Sequence, residues 1–151
     1  MRFDDSPVTW RGAACVGHPS QWWFALPWFR SLRPAGSPPL TRWEARTRER
    51  ERAQAKRDHA LALRVCVSCP LVVQCAEWGL AREAAGVWGG ITEWERFAIG
   101  GVGTPLANKQ QPSLEAALVA ISRRFGRRAR EIRPVITPYV RQRLSRDEVG
   151  A

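Results

Sequence analysis

The sequence predicts an all-α protein: a small helical domain organised around a four-cysteine site, with a Gly-rich turn and a basic C-terminal helical arm. Three observations predict this. Thr41 to Val65 contains neither Gly nor Pro and is dominated by Arg, Glu, Ala and Leu, all good helix formers. Leu114, Ala117, Leu118, Ile121 and Phe125 recur at i, i+3, i+4, i+7 and i+11, which is one apolar face of a helix. Nothing in the chain reads as a sheet.

The elements follow in order. Thr41 caps the first helix, and Glu44 three residues on completes a capping-box pattern. The first part of this helix is highly charged and solvated, whereas Leu61, Ala62, Leu63 and Val65 are expected to be buried. Pro70 ends it and opens a second helix that runs to about Ala85, where Gly86 stops it. Gly86-Val87-Trp88-Gly89-Gly90 is a tight turn, because three glycines in five residues permit positive φ. Thr92 caps a short helix from Glu93 to Ala98. Gly100 to Pro105 and Gln110-Gln111-Pro112 are linker chemistry. Ser113 caps the helix of Leu114–Phe125, and Gly126 stops it. Thr137-Pro138 starts a last helix. With a short helix through Ala129 and Ile132, that last helix would complete a degenerate helix-turn-helix. The division is therefore 1–99 for the cysteine domain, with an enlarged loop and charged helix at 31–58, then 100–112 as linker and 113–151 as a basic arm.

Charge points to the partner. Among 151 residues, 24 are Lys or Arg and 14 are Asp or Glu, a net charge of +10 that argues against an ordinary metabolic enzyme. All but Lys56 and Lys109 of the basic residues are Arg, whose planar fork suits phosphate, base edges and acidic protein surfaces. Between Arg123 and Arg146 the one acid is Glu131. Arg123, Arg124, Arg127, Arg128, Arg130, Arg141 and Arg143 are the candidate DNA contacts, to phosphate and minor groove. The longest apolar run, Trp22–Phe29, is far short of the roughly 20 residues a membrane span needs. Met1 to Asp5 shows no secretory signal. The expected location is a reducing cytoplasm, where cysteines serve as ligands or redox groups rather than structural disulfides.

Those cysteines are Cys15, Cys66, Cys69 and Cys75, spaced C-x50-C-x2-C-x5-C. The x2 pair spans a helix end, Cys75 lies in the second turn of the next helix and can return to the same point, and Cys15 must arrive by fold closure. A tetrahedral zinc site would accept four thiolates, but such sites usually use two knuckles, and one is present. A Cys66-Val67-Ser68-Cys69 dithiol could act as a thiol–disulfide oxidoreductase, but the usual βαβ context is absent. An iron–sulfur cluster also needs four thiolates, and as a larger object it tolerates ligands from separate helices. His18 reads as a loop histidine, because four thiolates already complete a site.

Cys15…Cys66-x2-Cys69-x5-Cys75, followed by Gly86-Val87-Trp88-Gly89-Gly90 and then Thr92-Glu93-Trp94-Glu95-Arg96, resembles the WhiB-like proteins of actinobacteria and their phages. Trp10 before Ala13-Ala14-Cys15, and Trp22-Trp23 where the family has Phe-Phe, extend the resemblance over roughly residues 8–98. It implies a [4Fe-4S] cluster held by the four cysteines, and a non-enzymatic role in transcription. It also implies docking on the C-terminal domain of the principal sigma factor, and a response to oxygen or nitric oxide. Some relatives reduce disulfides in the cluster-free form, with their cysteines able to pair. The chain departs from the family in its longer Cys15–Cys66 gap, the position of Pro19 and the Trp22-Trp23 pair.

Seven of the eight tryptophans crowd the cysteine region, Trp28 included. Trp10, Trp22, Trp23 and the turn Gly86, Val87, Trp88, Gly89, Gly90 are the candidate sigma-factor surface, with Trp88 projecting outward from the turn. The protein is expected to be monomeric by itself. A domain of about 90 residues has a thin core, so the cluster-free form is expected to be loose.

Overall fold

A computed structural model of the chain describes residues 10–19, 22–23, 36–83, 85–103 and 112–150. The expectations for Met1 to Asp5, Trp28, residues 31–35 of the Pro-rich loop and residues 104–111 of the linker lie outside the described residues. Among the described residues the regular structure is helical: α1 (Arg42–Ser68), α2 (Val72–Arg82), α3 (Glu93–Ile99), α4 (Leu114–Phe125), a 3-10 turn (Gly126–Arg128) and α5 (Ala129–Gly150). The all-α class is as expected. None of the described helices is long and apolar enough to cross a membrane.

α1 starts where its capping box places it. Thr41 Oγ1 accepts from the Glu44 amide at 3.2 Å, and Glu44 Oε2 accepts from the Thr41 amide at 2.8 Å. Its buried line is Ala55, Asp58, Ala62 and Cys66. The expected burial of Leu61, Leu63 and Val65 is corrected: Leu61 is exposed, and Leu63 and Val65 are half-buried against the cluster of Trp23, Ala62, Cys66 and Val87. Small residues let the neighbouring chain approach α1 closely, which leaves the larger ones on the rim.

α2 is shorter than expected at both ends. Pro70 lies in the turn before it, and Glu83 is already extended beyond its last residue. The extension is needed to bring the chain into the glycine turn. There the Trp88 amide donates to the Ile91 carbonyl and the Ile91 amide to the Trp88 carbonyl, both at 3.0 Å. Gly89 (φ 56°) and Gly90 (φ 71°) occupy the two central positions. Positive φ at both is the signature of a type I′ turn. A Cβ on Gly89 would also sit 2.3 Å from the Ala76 amide nitrogen. α3 then opens with its own Thr92–Glu95 capping box and closes on Gly100 in the left-handed region.

The C-terminal segment is not a detached arm. Ile121 and Phe125 of α4 and Ile132, Val135 and Ile136 of α5 share one core with Val72, Ala76, Leu80, Ile91 and Ile99. The first residues of the expected linker are also pinned: the Gly101 amide donates to the Arg96 carbonyl at 2.9 Å and Val102 to Leu80 at 2.8 Å. The core is therefore larger than the thin one expected of residues 1–99 alone.

The helix-turn-helix alternative is overturned, because α5 runs unbroken through Pro134 and Pro138. Each proline removes one helical hydrogen bond. Both are exposed, so the freed carbonyls lie on the solvent side. The opposite face buries Ile132, Val135 and Ile136, each contributing roughly 1.5–3 kcal/mol, which outweighs the breaks.

Phe125→Ala should cost about 3–5 kcal/mol in urea unfolding, as for a large core side chain. A cost under about 1 kcal/mol would mean that α4 does not belong to the core.

Candidate metal centre

Three segments deliver the four sulfurs. Cys66 lies in the last turn of α1, Cys69 is its C-cap, Cys75 lies in the first turn of α2, and Cys15 comes from an N-terminal turn. All four line one cavity of about 460 Å³, whose wall is otherwise mostly apolar and includes Trp10, Trp23, Val72 and Trp88. Fold closure therefore brings together every cysteine that the sequence singled out. None of them is in a disulfide.

Among the described residues, N–H groups of Ala14, Trp23 and Gly89 point at these sulfurs. The Ala14 amide donates to Cys69 Sγ at 3.3 Å, the Trp23 indole to Cys66 Sγ at 3.4 Å, and the Gly89 amide to Cys75 Sγ at 3.0 Å. Such donors stabilise thiolate rather than thiol. They are outweighed: burial, then the neighbouring Cys66, pushes the Cys75 thiol up to about 12. Burial also raises Cys66, and burial followed by the nearby Cys69 raises Cys15. A metal centre ligated by thiolates would supply the missing counter-charge, so the donor set fits one. Among the described residues no three Cys, His, Asp or Glu side chains are grouped closely enough to hold a single metal ion. His18 is exposed and stacks on Trp22 with ring centroids 5.0 Å apart, as a loop histidine.

The expected outward projection of Trp88 is corrected. Its residue is 5% exposed, its indole donates to the Ala85 carbonyl at 2.9 Å, and its ring meets Trp10 edge-on at 6.1 Å. Glycine occupies the tip of the turn and Trp88 its base, so the indole is directed onto α2. There a Cβ on Gly79 would come within 2.3 Å of Trp88 Cβ. Gly86, Val87, Gly89, Gly90 and Trp23 are also buried, whereas Trp10 and Trp22 are half-buried.

Sequence reading missed the group that fixes this turn. The Arg96 guanidinium is wholly buried and donates to the carbonyls of Glu83 (3.3 Å), Val102 (3.2 Å), Gly86 (2.9 Å) and Ile91 (2.9 Å). Burial lowers its pKa to about 10, against the opposing pull of Glu93. Buried Glu93 accepts from the Gly86 amide at 3.0 Å. The available signal was the Glu93/Arg96 pair at i, i+3 immediately after the glycine turn.

The seven candidate DNA arginines divide into two groups. Arg124 makes a bidentate pair with Glu95 (2.6 and 2.9 Å) and donates to the Gly90 carbonyl at 2.7 Å. Arg128 donates to Glu131 and to the carbonyls of Val67 and Cys69. Arg143 donates to the carbonyls of Phe97 (3.1 Å) and Ala98 (3.3 Å). These three hold the C-terminal helices against the metal centre and α3. Arg123, Arg127, Arg130 and Arg141 are exposed.

The helical fold and the four-thiol cavity define a small cysteine-ligand protein. The chain matches the family model described as "Transcription factor WhiB" over residues 10–99, and it belongs to that family of transcription factors. It is similar to the transcriptional regulator WhiD of Streptomyces coelicolor, with 49% identity over 49 residues, 32% of this chain and 43% of that protein. It is also similar to the redox-responsive transcriptional regulator WhiB3 of Mycolicibacterium smegmatis, with 47% identity over 49 residues, 32% of this chain and 50% of that protein. The chain thus spans half or less of the length of these relatives. No solved structure matches it.

Arg96→Lys should cost more than about 3 kcal/mol in urea unfolding, since an ammonium has three donors and cannot span four carbonyls held by a planar fork. A near-neutral result would mean that the turn stands without the guanidinium.

Proposed function

We propose that the chain is a non-enzymatic transcriptional regulator of the cytoplasm. It holds a [4Fe-4S] cluster on Cys15, Cys66, Cys69 and Cys75, docks on the C-terminal domain of the principal sigma factor, and contacts promoter DNA. The observation that carries this reading is the single apolar cavity walled by all four cysteines, with N–H donors of Ala14, Trp23 and Gly89 directed at their sulfurs. Four cysteines drawn from three separate segments favour a cluster, the larger object, over the zinc-stapled alternative. Burial of both Cys66 and Cys69 disfavours a thiol–disulfide oxidoreductase, whose attacking thiolate must be accessible.

When bound, the cluster supplies one-electron redox chemistry and reactivity toward oxygen and nitric oxide. The redox-responsive character of the similar regulator WhiB3 supports that reading of the site. The residues of this chain do the rest. The N–H groups of Ala14, Trp23 and Gly89 stabilise negative charge on sulfur, which tunes the potential of a thiolate-held cluster. Trp10, Trp23 and Trp88 exclude water from the cavity. Cys15, the exposed ligand, is the side from which small oxidants arrive.

Trp10 and Trp22, half-buried near the cavity, are the aromatic anchors offered to the sigma factor. Trp23 and the turn Gly86–Gly90, with Trp88 packed beneath it, shape the surface behind them. Exposed Arg123, Arg127, Arg130 and Arg141 contact DNA phosphates, while Arg124, Arg128 and Arg143 hold the segment in place.

Protein purified without oxygen should be brown and contain four iron and four sulfide per chain, and changing any one of the four cysteines to Ala should remove the colour. Stoichiometric zinc in place of iron would overturn the cluster. Trp22→Ala should weaken capture by the immobilised sigma-factor domain more than tenfold with the cluster absorbance unchanged. Unaltered capture would remove Trp22 from the interface. DNA affinity should fall steeply with salt, and changing Arg123, Arg127, Arg130 and Arg141 together to Gln should reduce the log–log slope by about 3 to 4. An unchanged slope would remove these arginines from the DNA contact.

A further inference from the structure

The N-terminal half of α1 does nothing for the core. No residue from Arg42 to Gln54 is buried; the buried line of α1 begins at Ala55. In this stretch only Thr47, Arg48 and Ala53 are half-buried, and one side of it carries a row of exposed arginines. At 100° per residue, Glu44, Glu51 and Asp58 (i, i+7, i+14) line up with buried Ala55 and Ala62, on the side turned toward the protein. Arg42, Arg46, Arg50 and Arg57 fall on nearly the opposite side, and all four are exposed. Glu49 is the one acid beside them.

Among the described residues, none of these four guanidinium groups is in an ion pair. Arg57 donates to the neutral side chain of Gln54 at 2.8 Å. Trp43, 74% exposed, flanks the stripe. From Arg42 to Arg57 the stripe is about 22 Å long, at 1.5 Å per residue.

We infer that this outward face of α1 is a nucleic-acid surface, with Arg42, Arg46, Arg50 and Arg57 lying along the phosphate backbone of duplex DNA. The inference extends the DNA-contact reading above to a different element and different residues. Charge complementarity selects the occupant. A row of exposed Arg forks, facing outward from a chain of net charge +10, matches a regular polyanion with one charge per roughly 1.7 Å of axis. The stripe covers about six base pairs of that axis. A membrane surface would require an apolar face on the same helix, and the side opposite the arginines carries Glu44, Arg48, Glu51 and Asp58 beside buried Ala55 and Ala62.

The test uses the full chain and a fluorescently labelled 30-base-pair duplex of arbitrary sequence, with anisotropy titrations across a series of salt concentrations. Changing Arg42, Arg46, Arg50 and Arg57 together to Gln should weaken binding more than tenfold at 0.1 M salt and lower the log–log salt slope by about 3 to 4. Far-UV circular dichroism should be unchanged, since Gln is a good helix former and all four sites are exposed. The smaller Arg42→Gln, Arg46→Gln pair should lower the slope by about 2, and Glu44→Gln with Glu51→Gln should not weaken binding. Unchanged affinity and slope in the fourfold variant, with weakened binding on changing Arg123, Arg127 and Arg130 to Gln, would overturn the stripe and leave the C-terminal contact standing. Absence of DNA binding by the parent chain would overturn both. A preference of the parent chain for single-stranded RNA over the duplex by more than tenfold would overturn the assignment to duplex DNA.

Discussion

Four thiolates cannot share one apolar cavity without a counter-charge. That constraint organises much of what surrounds it. The cavity draws its ligands from an N-terminal turn, the end of α1 and the start of α2, so each ligand sets the path of a different part of the chain. N–H donors from Ala14, Trp23 and Gly89 must then be aimed at sulfur. Aiming the Gly89 amide requires a turn so tight that a side chain at Gly89 would strike the backbone of α2.

The chain on both sides of that turn is held in place by one buried guanidinium, which donates to four carbonyls around it. Arg96 holds the carbonyls of Gly86 and Ile91 on either side of the turn together with those of Glu83 and Val102. The Arg124–Glu95 pair then ties α4 to α3 and to the Gly90 carbonyl, while Arg128 ties the α4–α5 junction to the carbonyls at the end of α1. Positive charge thus does two different jobs in this chain. Where the chain closes around it, Arg braces backbone carbonyls. Where it faces outward, on α1 and along α5, it remains available to a polyanion.

The local elements were largely legible. Thr41/Glu44, Thr92/Glu95, Ser113 and Gly126 bound their helices through short-range hydrogen bonds, which depend on residues three or four apart. The glycine turn was legible for the same reason. The four cysteines were identifiable as one set from their chemistry alone. Two local expectations failed where distant packing intervened. Pro134 and Pro138 sit inside α5 because Ile132, Val135 and Ile136 are buried on its other face. Trp88 faces inward because Gly79 of α2 opens room for it.

By itself, then, the sequence determined the helical class, the capped starts and glycine stops, the four-cysteine set and the excess of arginine, all of which depend on residue type and near spacing. Tertiary structure alone decided that the C-terminal helices share the core of the cysteine domain and which arginines are braces and which are exposed. Those outcomes depend on which carbonyls and apolar faces meet across 29 to 61 residues of chain, as for Arg124 with Glu95 and Arg128 with Val67. No short-range pattern encodes that meeting, because it is set by the combined burial of all the helices.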